Sequence, residues 1–262
     1  MEYKNLVYEV KGHIAKIVIH RPEVLNAVDY PTILELKDAL SQIEKDPQIR
    51  VLMITGSGEK SFIVGADREE IRIQREDEER ARKFEDACRE TFNLIEDLGK
   101  PSVCAMNGFA FGLGLQLSLA CTFRIISDNA KLGLPEINLG FFPSMGATQR
   151  LTRLIGEVKA TEMILTGEPI DAAEAYRIGL VNKKVSSAEL GSHAETLAGK
   201  LAEKSPITVK LAMEAIKRGR RATGESGLAF EAMLSDLCLK TEDAREGILA
   251  LNEKRKPDFR GR

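Results

Sequence analysis

The stretch Asn107 to Ile126, NGFAFGLGLQLSLACTFRII, decides how the rest of this chain is read. Asn107 and Gly108 are a turn signal, Gly112 and Gly114 follow, and Leu113 to Ala120 is apolar on nearly every side apart from Gln116 and Ser118. A helix that is hydrophobic all round belongs in the interior. The apolar run from Phe109 to Phe123 is shorter than the roughly 20 residues a spanning helix needs, so it reads as buried core rather than membrane. Phe123 to Ile126 reads as a strand. A glycine turn that enters a helix presents free backbone N–H groups reinforced by the helix dipole, which suits an anionic oxygen. The alternative is that these glycines only permit tight turns in a crowded core.

Working outward, SVCAM (102–106) is a continuous apolar strand. Before it, Phe84, Cys88, Phe92, Ile95 and Leu98 recur at helical spacing and end at Gly99 and Pro101. Arg75 to Arg82 is a charge run and reads as a solvated, mobile face. VLMIT (51–55), ended by GSG, is another buried strand, and Ile33, Leu36, Leu40 and Ile43 mark a helix after Asp29 and Pro31. NLVYEV and HIAKIVIH, separated by Lys11 and Gly12, alternate as a hairpin with one buried face. Beyond about Ser186 strand signals vanish. Ala202 to Lys254 reads as successive helices, with GES (224–226) and a Lys-Thr-Glu-Asp start signal between them. The expected architecture is α/β, with a core over 1–195 and a helical region over 196–262. No internal repeat at fixed spacing is present.

Composition narrows the function. The 262 residues are 43% hydrophobic and 30% charged, with net charge -2 and a pI of about 6.1, so no global positive charge recruits nucleic acid or an anionic membrane. The four cysteines form no CxxC pair and no zinc spacing, and they read as reduced thiols in a cytoplasmic protein. The opening residues lack a signal peptide's pattern. His13, His20 and His193 have no neighbouring Ser or Cys elbow, and neither a GxGxxG nor a Walker lysine is present.

Several motifs, in order, carry a resemblance. FIVGAD (62–67) is similar to an FxAGAD segment, NGFAFGLGLQLSLACTFRI to NGxAxGGGxELAxxCDxRI, and KLGLPEINLGFFPSMGATQRL (131–151) to FGxPEixLGxxPGxGGTQRL. HRPEVLNAV, LTGEPIDAAEAYRIGLVNKKV (165–185) and TEDAREGILALNEKRKPDF match as well. Over nearly its whole length the chain resembles the crotonase, or enoyl-CoA hydratase/isomerase, family.

That resemblance implies a crotonase-type spiral of ββα turns with a C-terminal helical trimerisation region, assembled as a homotrimer or as a hexamer of paired trimers. It implies an acyl-CoA substrate with no separate cofactor and no metal, because coenzyme A is part of the substrate. The backbone N–H groups of Ala66 and Leu113 match the oxyanion hole that stabilises a thioester enolate, and Glu136 matches the acid/base. Its apolar neighbours Leu132, Leu134, Ile137 and Leu139 would partly desolvate a carboxylate and poise it for proton transfer, whereas without the resemblance an ordinary surface glutamate beside a turn is the alternative.

Two departures bear on the reaction. Gln116 stands where hydratases carry a second glutamate, and an amide orients a water but does not accept its proton. Ser144, with Met145 and Ala147, alters the loop beside the attacking water, or the acyl pocket. Asn26 and Ala27, and Lys256 and Phe259 near the end, match CoA-binding positions, the latter reaching a neighbouring subunit. Hydration is the leading expectation and double-bond isomerisation through Glu136 alone is the competitor. A non-catalytic or RNA-binding family member is the third reading. The first helix, with Glu35, Lys37, Asp38, Glu44 and Lys45, is mixed rather than basic, and Lys217 to Arg221 is a short cluster, so nucleic acid is not expected.

Overall fold

The computed structural model describes residues 3–219 and 225–262. Strands β1 (Leu6–Lys11) and β2 (Ile14–Ile19) form the antiparallel hairpin, turned at Gly12, whose φ of 57° suits a residue without Cβ. Along β2, Ala15, Ile17 and Ile19 are buried, the period-2 pattern of a strand with one covered face. Helix α1 (Tyr30–Lys45) is capped by the Asp29 carboxylate, which accepts the Thr32 N–H at 2.9 Å, and it buries Ile33, Leu36, Leu40 and Ile43.

From β3 (Val51–Gly56) through the next five strands the chain alternates between two sheets. Strand β4 (Ser61–Ile63) leads into α2 (Arg68–Glu76) and α3 (Glu78–Asp97). Strands β5 (Ser102–Met106) and β6 (Phe109–Phe111) lead into α4 (Leu113–Ala120). Strands β7 (Phe123–Ser127) and β8 (Lys131–Gly133) lead into a 3-10 helix, Pro135–Leu139. After α5 (Ala147–Ile155) and α6 (Glu157–Thr166) come β9 (Ile170–Asp171), α7 (Ala172–Arg177) and β10 (Lys183–Val185). The six-stranded sheet has order β1-β2-β3-β5-β7-β10, and the four-stranded sheet has order β4-β6-β8-β9. Each turn of the spiral places one strand in each sheet and then a helix. No fixed repeat is visible in sequence because two helices fill the first turn and one short helix fills the second. The three-residue strands β4, β6 and β8 are also too short to show a period.

Both faces of the large sheet are covered, which explains why VLMIT and SVCAM are apolar throughout. Leu52, Ile54, Cys104 and Met106 face the main core, whereas Val51, Met53, Val103 and Ala105 pack against α8 (Leu190–Ala202) through Ala194, Ala198 and Ala202. Helix α8 therefore belongs to the core, and the boundary expected at 195/196 falls in its middle. The helical region begins after Ala202, with α9 (Pro206–Gly219), α10 (Glu225–Leu239) and α11 (Glu242–Glu253). Thr241 caps α11 by accepting the Ala244 N–H, as the start signal predicts. Within the GES segment Gly224 lies outside the described residues, and so do Arg220 and Arg221 of the basic cluster. Lys217 pairs with Asp97 and Arg218 with Glu214.

The charge run differs from its reading. Asp77 caps α3 by accepting the Arg80 N–H, so the helix starts at Glu78, before its first apolar residue. Arg80 turns inward to make two hydrogen bonds to the buried Glu70 carboxylate, and its guanidinium stacks over Tyr30. Exposed pairs such as Arg72 with Glu69 and Glu76 occupy the outer face. The four cysteines are free, and Cys88, Cys104 and Cys121 are buried. Among the described residues no helix is long and apolar enough to cross a membrane.

Candidate active site

Three segments that follow strands of the small sheet meet at one point. After β4, Val28 N–H bonds to Gly65 O and Asp67 N–H bonds to Val28 O, so Ala66 sits in a parallel bridge with its own N–H directed away from Val28. After β6, Gly112 adopts φ 51° and ψ -117° and gives its N–H to Gly133 O, while its carbonyl accepts from Gln116 N–H. Leu113 is then the first residue of α4, and its N–H is one of those a helix start leaves without an intrahelical acceptor. After β8, the Pro135–Leu139 turn carries Glu136. A Cβ added at Gly112 would lie 3.3 Å from Glu136 Oε1 and 3.6 Å from Gly65 Cα, which places the three segments side by side, and the positive φ is what calls for glycine here.

Glu136 is 8% exposed. Its Oε1 accepts from Gln116 Nε2 at 2.8 Å, and its Oε2 is buried without a hydrogen-bond partner. Burial pushes this carboxyl above its ordinary value, and its own backbone N–H, then the Gln116 N–H, pull in the opposite direction. Gln116 has a fixed orientation: Met145 N–H donates to its Oε1 at 2.8 Å, so the amide nitrogen must face Glu136. Met145 is buried, whereas the adjoining Ser144 side chain is exposed. The arrangement brings the segments that carry the Ala66 and Leu113 amides together beside one largely buried carboxylate.

The remaining site expectations divide. Asn26 is 0% exposed and φ 59°, and its side chain accepts from Arg21 N–H and Ser57 Oγ while donating to Ser57 O and Ser61 O. Its side chain shapes the loop from inside. Ala27 is also buried, and its carbonyl accepts from Arg21 Nη1 at 2.6 Å. Lys256 is exposed and lies 3.8 Å from Glu203. Phe259 O accepts from Arg50 Nη2, at the start of β3, whereas the Asn26 loop meets that strand's far end at Gly56. Within the chain these two are therefore not brought to Glu136.

Two residues were missed in sequence although both sit inside quoted motifs. Arg21 pairs at 3.1 Å with Asp29 and with Asp67, tying the Ala27 loop to the Ala66 loop. Arg150 reaches the Met145 carbonyl. An arginine followed by two separated aspartates was the available signal, but nothing local says that they meet. A cleft of about 510 Å³ at the C-terminal end of α4, lined by Glu96, Arg124, Arg150, Lys210 and Lys217, lacks Glu136, and so does one of about 520 Å³ beside Phe123 and Leu197.

The model of the enoyl-CoA hydratase/isomerase family matches residues 9–262. The chain belongs to the enoyl-CoA hydratase/isomerase family. It is an enzyme of that family and has the crotonase fold. It is 41% identical over 259 residues to the crotonyl-CoA hydratase of Syntrophomonas wolfei, covering 99% of each chain. It is also 41% identical over 256 residues to the short-chain-enoyl-CoA hydratase of Clostridium acetobutylicum, covering 98% of this chain and 97% of that one. The crystal structure of an enoyl-CoA hydratase from Bacillus anthracis superposes with a TM-score of 0.95 at 39% identity, covering 99% of this chain and 100% of that one.

Proposed function

We propose that this family member hydrates 2-enoyl-CoA thioesters, with Glu136 as the acid/base. The observation that carries the reading is Glu136 Oε2, a buried oxygen without a partner, on a carboxylate beside Gly112, the residue that precedes Leu113, with Gly65, the residue that precedes Ala66, also next to that glycine. The thioester oxygen accepts the N–H groups of Ala66 and Leu113. As water adds to C3 and gives its proton to Glu136, the C2–C3 π electrons move toward the thioester and the enolate charge falls on that oxygen. The enolate is then protonated at C2 by Glu136, which regenerates the carboxylate. Gln116 has one amide hydrogen left after its bond to Glu136, enough to orient the water. The names of the relatives support a short-chain enoyl substrate.

Isomerisation is the second reading, favoured by one observation: the site pairs a single carboxylate with a neutral amide, and moving a proton between C2 and C4 needs no water. The test is incubation in heavy-oxygen water with a 2-enoyl-CoA and with a 3-enoyl-CoA. Oxygen label in the product supports hydration, and double-bond migration without label rejects it.

The working form proposed is a homotrimer or a pair of trimers in the cytoplasm. Leu228, Met233, Leu237 and Leu239 on α10, and Ile248 and Leu251 on α11, are exposed in the single chain, an apolar surface that assembly would cover. In such an assembly Lys256 and Phe259 act on a neighbouring subunit's CoA. The free cysteines support a reducing compartment.

A further inference from the structure

We propose that Arg150 is a positioning residue that acts on Glu136 through Met145 and Gln116. The inference rests on the reading of Glu136 as the acid/base. Arg150 lies on α5 with its side chain 10% exposed. Its Nε donates to Glu96 Oε2 at 2.9 Å and its Nη2 to Asn93 Oδ1 at 2.8 Å, both on α3. Its Nη1 donates to Met145 O at 2.9 Å. Gly146 allows that reach, since a Cβ there would collide with Nη1. Met145 N–H then donates to Gln116 Oε1, and Gln116 Nε2 to Glu136 Oε1, each at 2.8 Å. An unbroken series of direct hydrogen bonds therefore runs from α3 to the carboxylate.

The physical consequence concerns direction. Met145 belongs to the loop that departs from the family's glycine-rich pattern, and Arg150, bonded to the Met145 carbonyl, holds the Met145–Gly146 peptide. The Met145 N–H lies in the preceding peptide and is coupled to that carbonyl through Met145's own backbone torsions, so holding the carbonyl restrains the N–H, and the N–H decides which end of the Gln116 amide faces Glu136. Released from it, the amide is free to turn its oxygen toward the carboxylate, where two acceptors repel, and Glu136 loses the bond that leaves Oε2 aimed at substrate. A guanidinium is required because it reaches three acceptors in one plane, whereas a lysine ammonium is a point charge on a flexible stem.

The test measures kcat and KM on the accepted enoyl-CoA for R150K, R150M, Q116A and the double variant R150M/Q116A, with thermal unfolding of each. R150K keeps a positive charge beside Glu96 and loses the fork. Its expected kcat falls on the order of 10- to 100-fold, with KM within about threefold of wild type. R150M is expected to fall at least as far, and the double variant no further than Q116A alone, because the arginine works through the amide. A folded R150K with wild-type kcat overturns the proposal, and so do losses that multiply in the double variant. R150K decides the matter if R150M does not fold. E136Q run in parallel separates the two claims: an inactive E136Q beside a normal R150K leaves the acid/base reading standing and removes only this one.

Discussion

Gln116 Nε2 lies 2.8 Å from Glu136 Oε1, and the other oxygen of that buried carboxylate has no partner. The amide thus takes up one oxygen and leaves one for chemistry. A second carboxylate at this position would repel Glu136 and raise its pKa further, whereas a neutral donor holds it without competing for the proton. This relationship leaves Glu136 as the carboxylate that the Gln116 amide faces.

E136Q keeps the shape of the site and removes its base. Turnover is expected to drop on the order of 100- to 10000-fold, with acyl-CoA affinity and fold retained. Steady-state kinetics with calorimetric binding of a saturated acyl-CoA checks this, and wild-type turnover in the variant would contradict the acid/base role.

Stability should respond to the same group with a defined sign. Because burial raises the folded-state pKa of Glu136 above its unfolded value, the folded protein binds the extra proton between the two values. This contribution to stability is present below the ordinary carboxylate value and is lost as pH rises through the raised one. In E136Q that loss disappears, so the ratio of variant to wild-type stability rises with pH over this window. Urea unfolding of both proteins across the acidic to neutral range reads it out.

Q116A and Q116E separate hydration from isomerisation. If the remaining Gln116 N–H orients water, Q116A should depress oxygen-label uptake far more than substrate binding. If the enzyme isomerises, Q116A should be mild and Q116E should introduce label by supplying a second base. Mass spectrometry of products in heavy-oxygen water distinguishes the outcomes.

Arg21 is 14% exposed and holds both Asp29 and Asp67, which cap α1 and α2. R21Q leaves two partly buried carboxylates without their counter-ion, and the expected cost is about 2 to 4 kcal/mol, reduced from the fully buried case by the remaining solvent access. Chemical denaturation measures the loss. In conditions where R21Q is folded, kcat should also fall, since Asp67 adjoins the Ala66 N–H.

Assembly is checked by sedimentation. The intact chain should run as a trimer or larger, and Leu237→Glu with Leu239→Glu on the exposed face of α10 should reduce its mass. A stable monomer for the intact chain contradicts the trimer reading.

Much of the fold was legible because it is written locally. Alternation in β2, the helical spacing of Ile33, Leu36, Leu40 and Ile43, and the apolar helix after Gly112 all report burial within one element. The strands β4, β6 and β8 were not legible, since three residues carry no period. The α8 boundary was missed because small alanines pack on the sheet without the large apolar side chains that mark a core helix.

By itself the sequence determined the ordered motifs, the glycine turns and a glutamate among apolar neighbours, and hence the family. Only the tertiary structure decided which way the Gln116 amide points, that Asn26 faces inward, and that Arg150 stands behind Met145. The reason is that hydrogen-bond direction depends on partners distant along the chain: Gln116 is 20 positions from Glu136 and 29 from Met145. Residue type announces that a donor or acceptor exists, and folding selects what it meets.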